Sequence, residues 1–274
     1  KFICDRGSSH IQHQANLIQE EFKKWKLDFD EIDQKKIDTK IIRTEIDEYE
    51  SSDLIFVPSS FSQQSFVDCG IPRTKTRLIP YGVDTKLFFP VESPKEDALD
   101  ILFVGAMSLR KGIPYLVQAF KSIGHRQKKL RIIGRPSKIV IDRLRSSGIW
   151  DDRIEVLGHK PASELRMWMS KSHVMVLPSI EDGFGLVIAE ALACGCPVIA
   201  TEHSGGPDVI TNGQNGFIVP SGDYLAIKHR IESIADSIDL QKQLRSSALK
   251  SVQKMGGWDQ YIDAVQSSYK WLLN

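Results

Sequence analysis

The stretch Val174-Met-Val-Leu177-Pro-Ser-Ile-Glu181-Asp-Gly-Phe-Gly185-Leu-Val-Ile-Ala-Glu190-Ala-Leu-Ala-Cys-Gly-Cys-Pro-Val198-Ile-Ala-Thr201 decides the fold. It opens and closes on short apolar runs, 174–177 and 198–201, and carries a helical segment over 185–193 between them. Unbroken apolar runs of this length, bounded by turn residues, are strands buried on both faces of a parallel sheet. The same unit repeats outward. Strands are predicted at 102–105, 130–134, 154–157 and 217–219, with helices at 113–120, 139–144 and 162–169. The fold class is α/β, and this part is a complete doubly wound, Rossmann-like domain.

The first eighty residues are sparser. Strands are predicted at 2–4 and 54–57, with a strand end at 78–80. Ile11, Ala15, Ile18, Phe22 and Trp25 share one face of an amphipathic helix, a charged helix covers 35–49, and a short helix ends at Gly70. Two or three strands are too few for a sheet covered on both faces. Residues 84–99, with two prolines and mixed charge, read as a linker. In the tail, Trp258, Tyr261, Ile262, Val265, Tyr269 and Leu272 recur at helical spacing.

Composition narrows the function. With 41% hydrophobic and 26% charged residues the chain of 274 is globular rather than disordered. A net charge of +1 gives no footprint for nucleic acid. No apolar run approaches the ~18 residues of a membrane span, and the N-terminus lacks a signal-peptide layout. Cys4, Cys69, Cys194 and Cys196 are too few and too scattered for a disulfide framework. The expectation is a cytoplasmic protein without a transmembrane segment, with peripheral membrane contact left open. The first methionine is Met107 and residue 1 is Lys, so either processing or membership of a longer protein is expected.

The chemistry concentrates in two loops. Asp182 lies in the loop after the 174–177 strand, where ligands bind in doubly wound sheets, and Glu190 lies within the helix that follows. The amides at Gly183, Phe184 and Gly185, where that helix starts, offer unpaired N–H groups and a positive dipole end. Two acids at fixed separation suit two sets of hydroxyls. Arg110 and Lys111, in Gly105-Ala-Met-Ser-Leu-Arg-Lys-Gly112, precede a second helix, where cations are locally unfavourable and call for an anion. A diphosphate fits that pair.

Together these residues resemble family 4 of the retaining glycosyltransferases, whose two-domain fold is called GT-B. The family's acid, seven residues and Glu are matched by Asp182-Gly-Phe-Gly and Glu190-Ala-Leu-Ala-Cys-Gly-Cys-Pro-Val. Ile79-Pro-Tyr-Gly-Val-Asp84 resembles its interdomain segment, Thr201 to Asn215 its next strand and loop, and Ser8-Ser9-His10 and Pro58-Ser59-Ser60-Phe61 pieces of its N-terminal domain. The chain departs from the family in having Glu181 before Asp182, and Ala106 where many members have Arg, with Arg110 as the replacement cation. Most of the family's N-terminal domain is also expected to be absent.

The resemblance implies a partial N-terminal, acceptor-side domain at 1–82, a donor domain at 83–257 and a helix at 258–274 that returns to the N-terminal part. It implies transfer of a sugar, a hexosyl group by preference, from a nucleotide-diphosphate sugar to a saccharide, lipid or other hydroxyl acceptor, with retention. No cofactor and no metal are called for, because two cations and a helix dipole face the phosphates. Arg110 and Lys111 stabilise the leaving diphosphate, Asp182 or Glu181 holds the sugar, and Glu190 holds the ribose. Gly105, Arg135, His159 and Lys160 flank the donor from the same sheet edge, while Asp5 and His10 face the acceptor. His10 and His13 at a helix start also admit metal binding, with a capped, solvated helix as the plainer reading. Two alternatives stand: a nucleotide-sugar-binding module without turnover, and a related GT-B phosphorylase or epimerase.

Overall fold

The computed structural model describes residues 1–26 and 38–273. A smaller N-terminal unit contains β1 (Ile3–Asp5), α1 (Ile11–Trp25), α2 (Thr39–Ser51), β2 (Leu54–Val57), α3 (Ser60–Asp68) and β3 (Thr76–Leu78). Its strands form a parallel sheet in the order β1-β2-β3. The Asp38 side chain accepts from the Lys40 N–H and so sets the start of α2. The first three residues of the predicted helix at 35–49 lie outside the described residues. The predicted strand end at 78–80 is displaced to Thr76–Leu78, because Pro80 has no N–H to continue the ladder.

The larger unit runs β4 (Leu99–Val104), α4 (Ile113–Ser122), β5 (Lys128–Ile133), α5 (Lys138–Ser146), β6 (Ile154–Gly158), α6 (Ala162–Lys171) and β7 (Val174–Leu177). It continues through α7 (Leu186–Ala193), β8 (Val198–Thr201), α8 (Gly206–Val209), β9 (Gly216–Val219), α9 (Tyr224–Ala235) and α10 (Ile238–Met255). Its six strands are parallel, in the order β6-β5-β4-β7-β8-β9. β4, β7 and β8 are buried at every residue, as a sheet covered on both faces requires. The chain builds outward from β4 through β5 to β6, then returns to β4's other edge with β7. The order therefore reverses between β4 and β7, and the loops leaving these two strands frame the crevice where such sheets bind ligands.

The smaller sheet is covered on both faces, contrary to the expectation from its strand count. Side chains alternate across a strand. Ile55 and Val57 pack with Ile11, Tyr49 and Phe66 from α1, α2 and α3. Leu54 and Phe56 face the other way, against Tyr261, Val265 and Leu272 of α11 (Trp258–Leu273). Residues 84–99 are not a free linker either. Asp84 caps a turn by accepting from the Lys86 N–H at 2.9 Å, Phe88 is buried, and Arg245 donates to the Glu92 carbonyl at 2.7 Å.

The chain passes between the units twice, and the two passages touch at Gly82 and Gly257. A Cβ on Gly82 would stand 2.2 Å from the Gly257 carbonyl carbon and 2.5 Å from the Trp258 nitrogen. Gly82→Ala is expected to cost about 1–3 kcal/mol by overpacking and to lower the midpoint of thermal unfolding. Gly124→Ala, whose Cβ meets nothing within 4 Å, should leave the midpoint unchanged.

Candidate functional site

The β4–α4 loop is anchored before its cations are reached. The Met107 N–H donates to the Arg135 carbonyl at 2.9 Å, and Met107 and Leu109 are buried. The Arg110 carbonyl then accepts from the Ile180 and Glu181 amides, at 2.9 and 3.3 Å, which ties this loop to the one leaving β7. Arg110 and Lys111 thus stand at the start of α4, facing Glu181 and Asp182 across the switch point.

The anion that the two cations call for is supplied within the chain. Arg110 donates to Glu181 Oε2 at 2.9 Å, and Lys111 pairs with Asp182. The two acids differ in what else reaches them. Glu181 is fully buried and accepts from Ser8 Oγ at 2.7 Å, Ser9 Oγ at 2.9 Å, the Ser9 N–H at 3.2 Å and Gln14 Nε2 at 2.7 Å, besides Arg110. Burial alone would raise its pKa. The Arg110 charge and the hydrogen bonds from Ser8, Gln14 and Arg110 outweigh that and hold it down, at about 2. Every contact of Glu181 outside Arg110 comes from the smaller unit, so its oxygens are committed to joining the units rather than open to a sugar. Asp182 keeps partial exposure, with Lys111 as its charge partner.

Gly183 continues the joint. A Cβ there would stand 2.1 Å from the Gly7 carbonyl oxygen, so only glycine admits the β1–α1 loop this closely. Its carbonyl accepts from Ser59 Oγ at 2.5 Å and Ser62 Oγ at 3.0 Å. The Phe184 ring is buried against Tyr81, with centroids 5.4 Å apart, which leaves only its backbone to a ligand. Gly185 caps α7 without a side-chain hydrogen bond. Among the described residues, the N–H groups of Gly183, Phe184 and Gly185 donate to no partner. This is the arrangement of an anion site at a helix start.

Glu190 stands apart from the other two acids. No hydrogen bond or ion pair among the described residues reaches its carboxylate, and burial alone pushes its pKa up to about 7. An unpaired, half-buried carboxyl is costly unless a ligand completes it.

The remaining predicted positions divide. Gly105, Arg135, His159 and Lys160 lie at the ends of β4, β5 and β6, on one sheet edge; Arg135 and His159 are exposed, and Lys160 pairs with Glu164 at 3.1 Å. Asp5 ends β1 and is exposed, with Tyr261 Oη 3.5 Å away. His10 requires correction. Its Nδ1 caps α1 by accepting from the Gln12 N–H at 3.2 Å, and its ring lies about 5 Å from Tyr49 and Phe66 in the core of the smaller unit. Burial first, then Arg6 and His13, push its pKa down to about 4. It is neither solvated nor open to an acceptor. Ser8, Ser9 and Gln14 carry the joint instead. The sequence marked the serines as part of a family segment but gave no sign of their partner, which is 172 residues away or more.

Residues 84–251 match the family model of the group 1 glycosyl transferases. An uncharacterized glycosyltransferase of Methanocaldococcus jannaschii is 30% identical over 62% of this chain and 47% of its own length. A D-inositol 3-phosphate glycosyltransferase of Kribbella flavida is 27% identical over 73% of this chain and 52% of its own. The chain thus spans about half the length of the curated relatives it matches. Among solved structures, sucrose-phosphate synthase from Thermosynechococcus elongatus superposes with a TM-score of 0.77 at 25% identity, covering 99% of this chain and 67% of that one. The architecture is that of the GT-B glycosyltransferases.

Two predictions follow from the acids. Glu181→Ala leaves Arg110 and the donors of Ser8, Ser9 and Gln14 without an acceptor, and should cost about 3–5 kcal/mol in denaturant unfolding. Because the folded pKa of Glu181 is depressed, its contribution is full above the unfolded carboxyl pKa and is lost as pH falls toward about 2. Glu190 has the opposite sign. Its raised pKa means the folded state resists ionisation, so a stability penalty grows from the unfolded carboxyl pKa up to about pH 7. Glu190→Gln should therefore raise the unfolding midpoint at pH 8 by several degrees, with no difference near pH 4.

Proposed function

Because this chain belongs to the group 1 glycosyl transferases, we propose that it takes part in moving a glycosyl group from a nucleoside-diphosphate sugar to an acceptor hydroxyl, with retention at the anomeric carbon. The observations that carry this reading are Arg110 and Lys111 at the switch point, the free amides of Gly183 to Gly185 at the start of α7, and the unpaired carboxyl of Glu190 farther along that helix. One end suits a diphosphate, and the acid within α7 suits the vicinal hydroxyls of a ribose.

When a diphosphate arrives, Lys111 exchanges Asp182 for phosphate oxygens. Asp182 is then free to accept from hydroxyls of the transferred sugar. Arg110 stays fixed by Glu181 and presents its remaining N–H groups. As the bond from anomeric carbon to phosphate oxygen breaks, negative charge grows on the diphosphate. Arg110, Lys111 and the α7 amides are oriented for that charge beforehand and need little reorganisation. The acceptor attacks from the face that the diphosphate leaves, which gives retention, and the departing phosphate takes the acceptor proton. These groups supply the charge stabilisation without a metal. A relative named as a D-inositol 3-phosphate glycosyltransferase supports a hydroxyl acceptor. No described helix is long and apolar enough to cross a membrane.

Calorimetry with UDP, GDP and ADP, paired with a donor-hydrolysis assay, tests the reading. One of these diphosphates should bind, Lys111→Ala and Glu190→Ala should each weaken it at least tenfold, and added salt should weaken it further. Affinity unchanged in the double variant would place the nucleotide elsewhere. Tight binding with neither hydrolysis nor transfer would leave a binding module.

A further inference from the structure

The loop after β8 brings a second set of side chains to the same crevice. The His203 carbonyl accepts from the Asp182 N–H at 2.9 Å, and His203 Nδ1 lies 3.0 Å from the Ile180 carbonyl oxygen. These contacts fix the imidazole beside the loop that carries Glu181 and Asp182. Phe61 of α3 stacks on it, with centroids 5.1 Å apart and planes 19° apart. His13 of α1 meets Phe61 edge-on at 5.8 Å. The three rings line one cavity of about 430 Å³ built from both units, within the size range of small-ligand sites. Gln64, Asp68, Arg73 and Glu202, with Ser60 and Ser65, complete the polar part of its wall.

The chemistry of this wall is selective. Asp68 accepts from Gln64 at 2.8 Å through Oδ1, and Glu202 accepts from the Ser221 N–H at 3.0 Å through Oε1. Each carboxylate keeps a second oxygen to accept from a ligand hydroxyl. His13 Nε2 is buried and has no hydrogen-bond partner among the described residues. The two carboxylates outnumber Arg73, the one Lys or Arg of this wall, which disfavours a phosphate or another anion. Aromatic faces beside carboxylates and an amide suit a pyranose, whose C–H face is apolar and whose rim is all hydroxyls.

We infer that this cavity is a saccharide subsite, in which a sugar unit of the acceptor packs against the rings of Phe61, His203 and His13 and is held by Asp68 and Glu202. The inference rests on the glycosyltransferase reading for its purpose, since one hydrogen bond separates the His203 backbone from the acid proposed to hold the transferred sugar. It also gives the smaller unit's α1 and α3 a direct part in choosing the acceptor.

Saturation-transfer NMR on the intact chain, with the best-binding nucleoside diphosphate present, tests it against a panel of methyl hexosides and disaccharides. At least one saccharide should receive saturation from the protein. Phe61→Ala should reduce that signal at least fivefold, and so should Asp68→Ala, an exposed position where the fold loses little. The nucleoside-diphosphate Kd should stay within twofold of the parent in both variants. Either of two results overturns the subsite: no saccharide receives saturation, or the signal is the same in both variants. Failure of the parent to bind any nucleoside diphosphate would instead count against the donor reading, and the saccharide signal in the variants would still decide the cavity.

Discussion

The buried carboxylate of Glu181 organises the crevice. A charge with no access to water must be met by donors, and here one comes from the donor-side loop and the others from the smaller unit. The same side chain that fixes Arg110 at the start of α4 also draws Ser8, Ser9 and Gln14 onto the loop leaving β7. Gly183 lets the β1–α1 loop close down beside it, and Ser59 and Ser62 add hydrogen bonds to its carbonyl. Association of the two units and orientation of the Arg110 guanidinium therefore rest on the same carboxylate.

Three acids within ten residues divide the remaining work because their surroundings differ. Glu181 is saturated and strongly acidic, and it belongs to the joint. Asp182 keeps partial exposure and has Lys111 as its one charge partner among the described residues. The Glu190 carboxyl has no hydrogen-bond or charge partner among the described residues, and burial pushes its pKa up to about 7. The backbone sets these roles. Consecutive residues in the loop point to different partners, and the α7 helix carries the third acid away from both cations.

The parallel sheet was legible because buried strands are short, unbroken apolar runs, and the runs at 174–177 and 198–201 reproduce β7 and β8 residue for residue. The placement of Arg110 and Lys111 before α4 was legible for the same reason, since strand, loop and helix follow one another in the chain. The return of α11 to the small sheet, nearly two hundred residues on, was implied by the family resemblance alone, since local periodicity does not encode it. Two things were not legible. The burial of His10 depends on Tyr49 and Phe66, from two other elements. The choice between Glu181 and Asp182 depends on Ser8, Ser9 and Gln14, whose side chains look unremarkable until the units meet.

The central claim is that Glu181 is a fixed joint and Asp182 an exchangeable one. A crystal structure of this chain with UDP, or with whichever nucleoside diphosphate binds best, addresses it directly. The account predicts phosphate oxygens within hydrogen-bond distance of Lys111 Nζ, with Asp182 released from it. It also predicts Glu181 still bound to Arg110, Ser8, Ser9 and Gln14. A diphosphate seated away from Lys111, or a Glu181 carboxylate turned out of the joint toward the ligand, would contradict it.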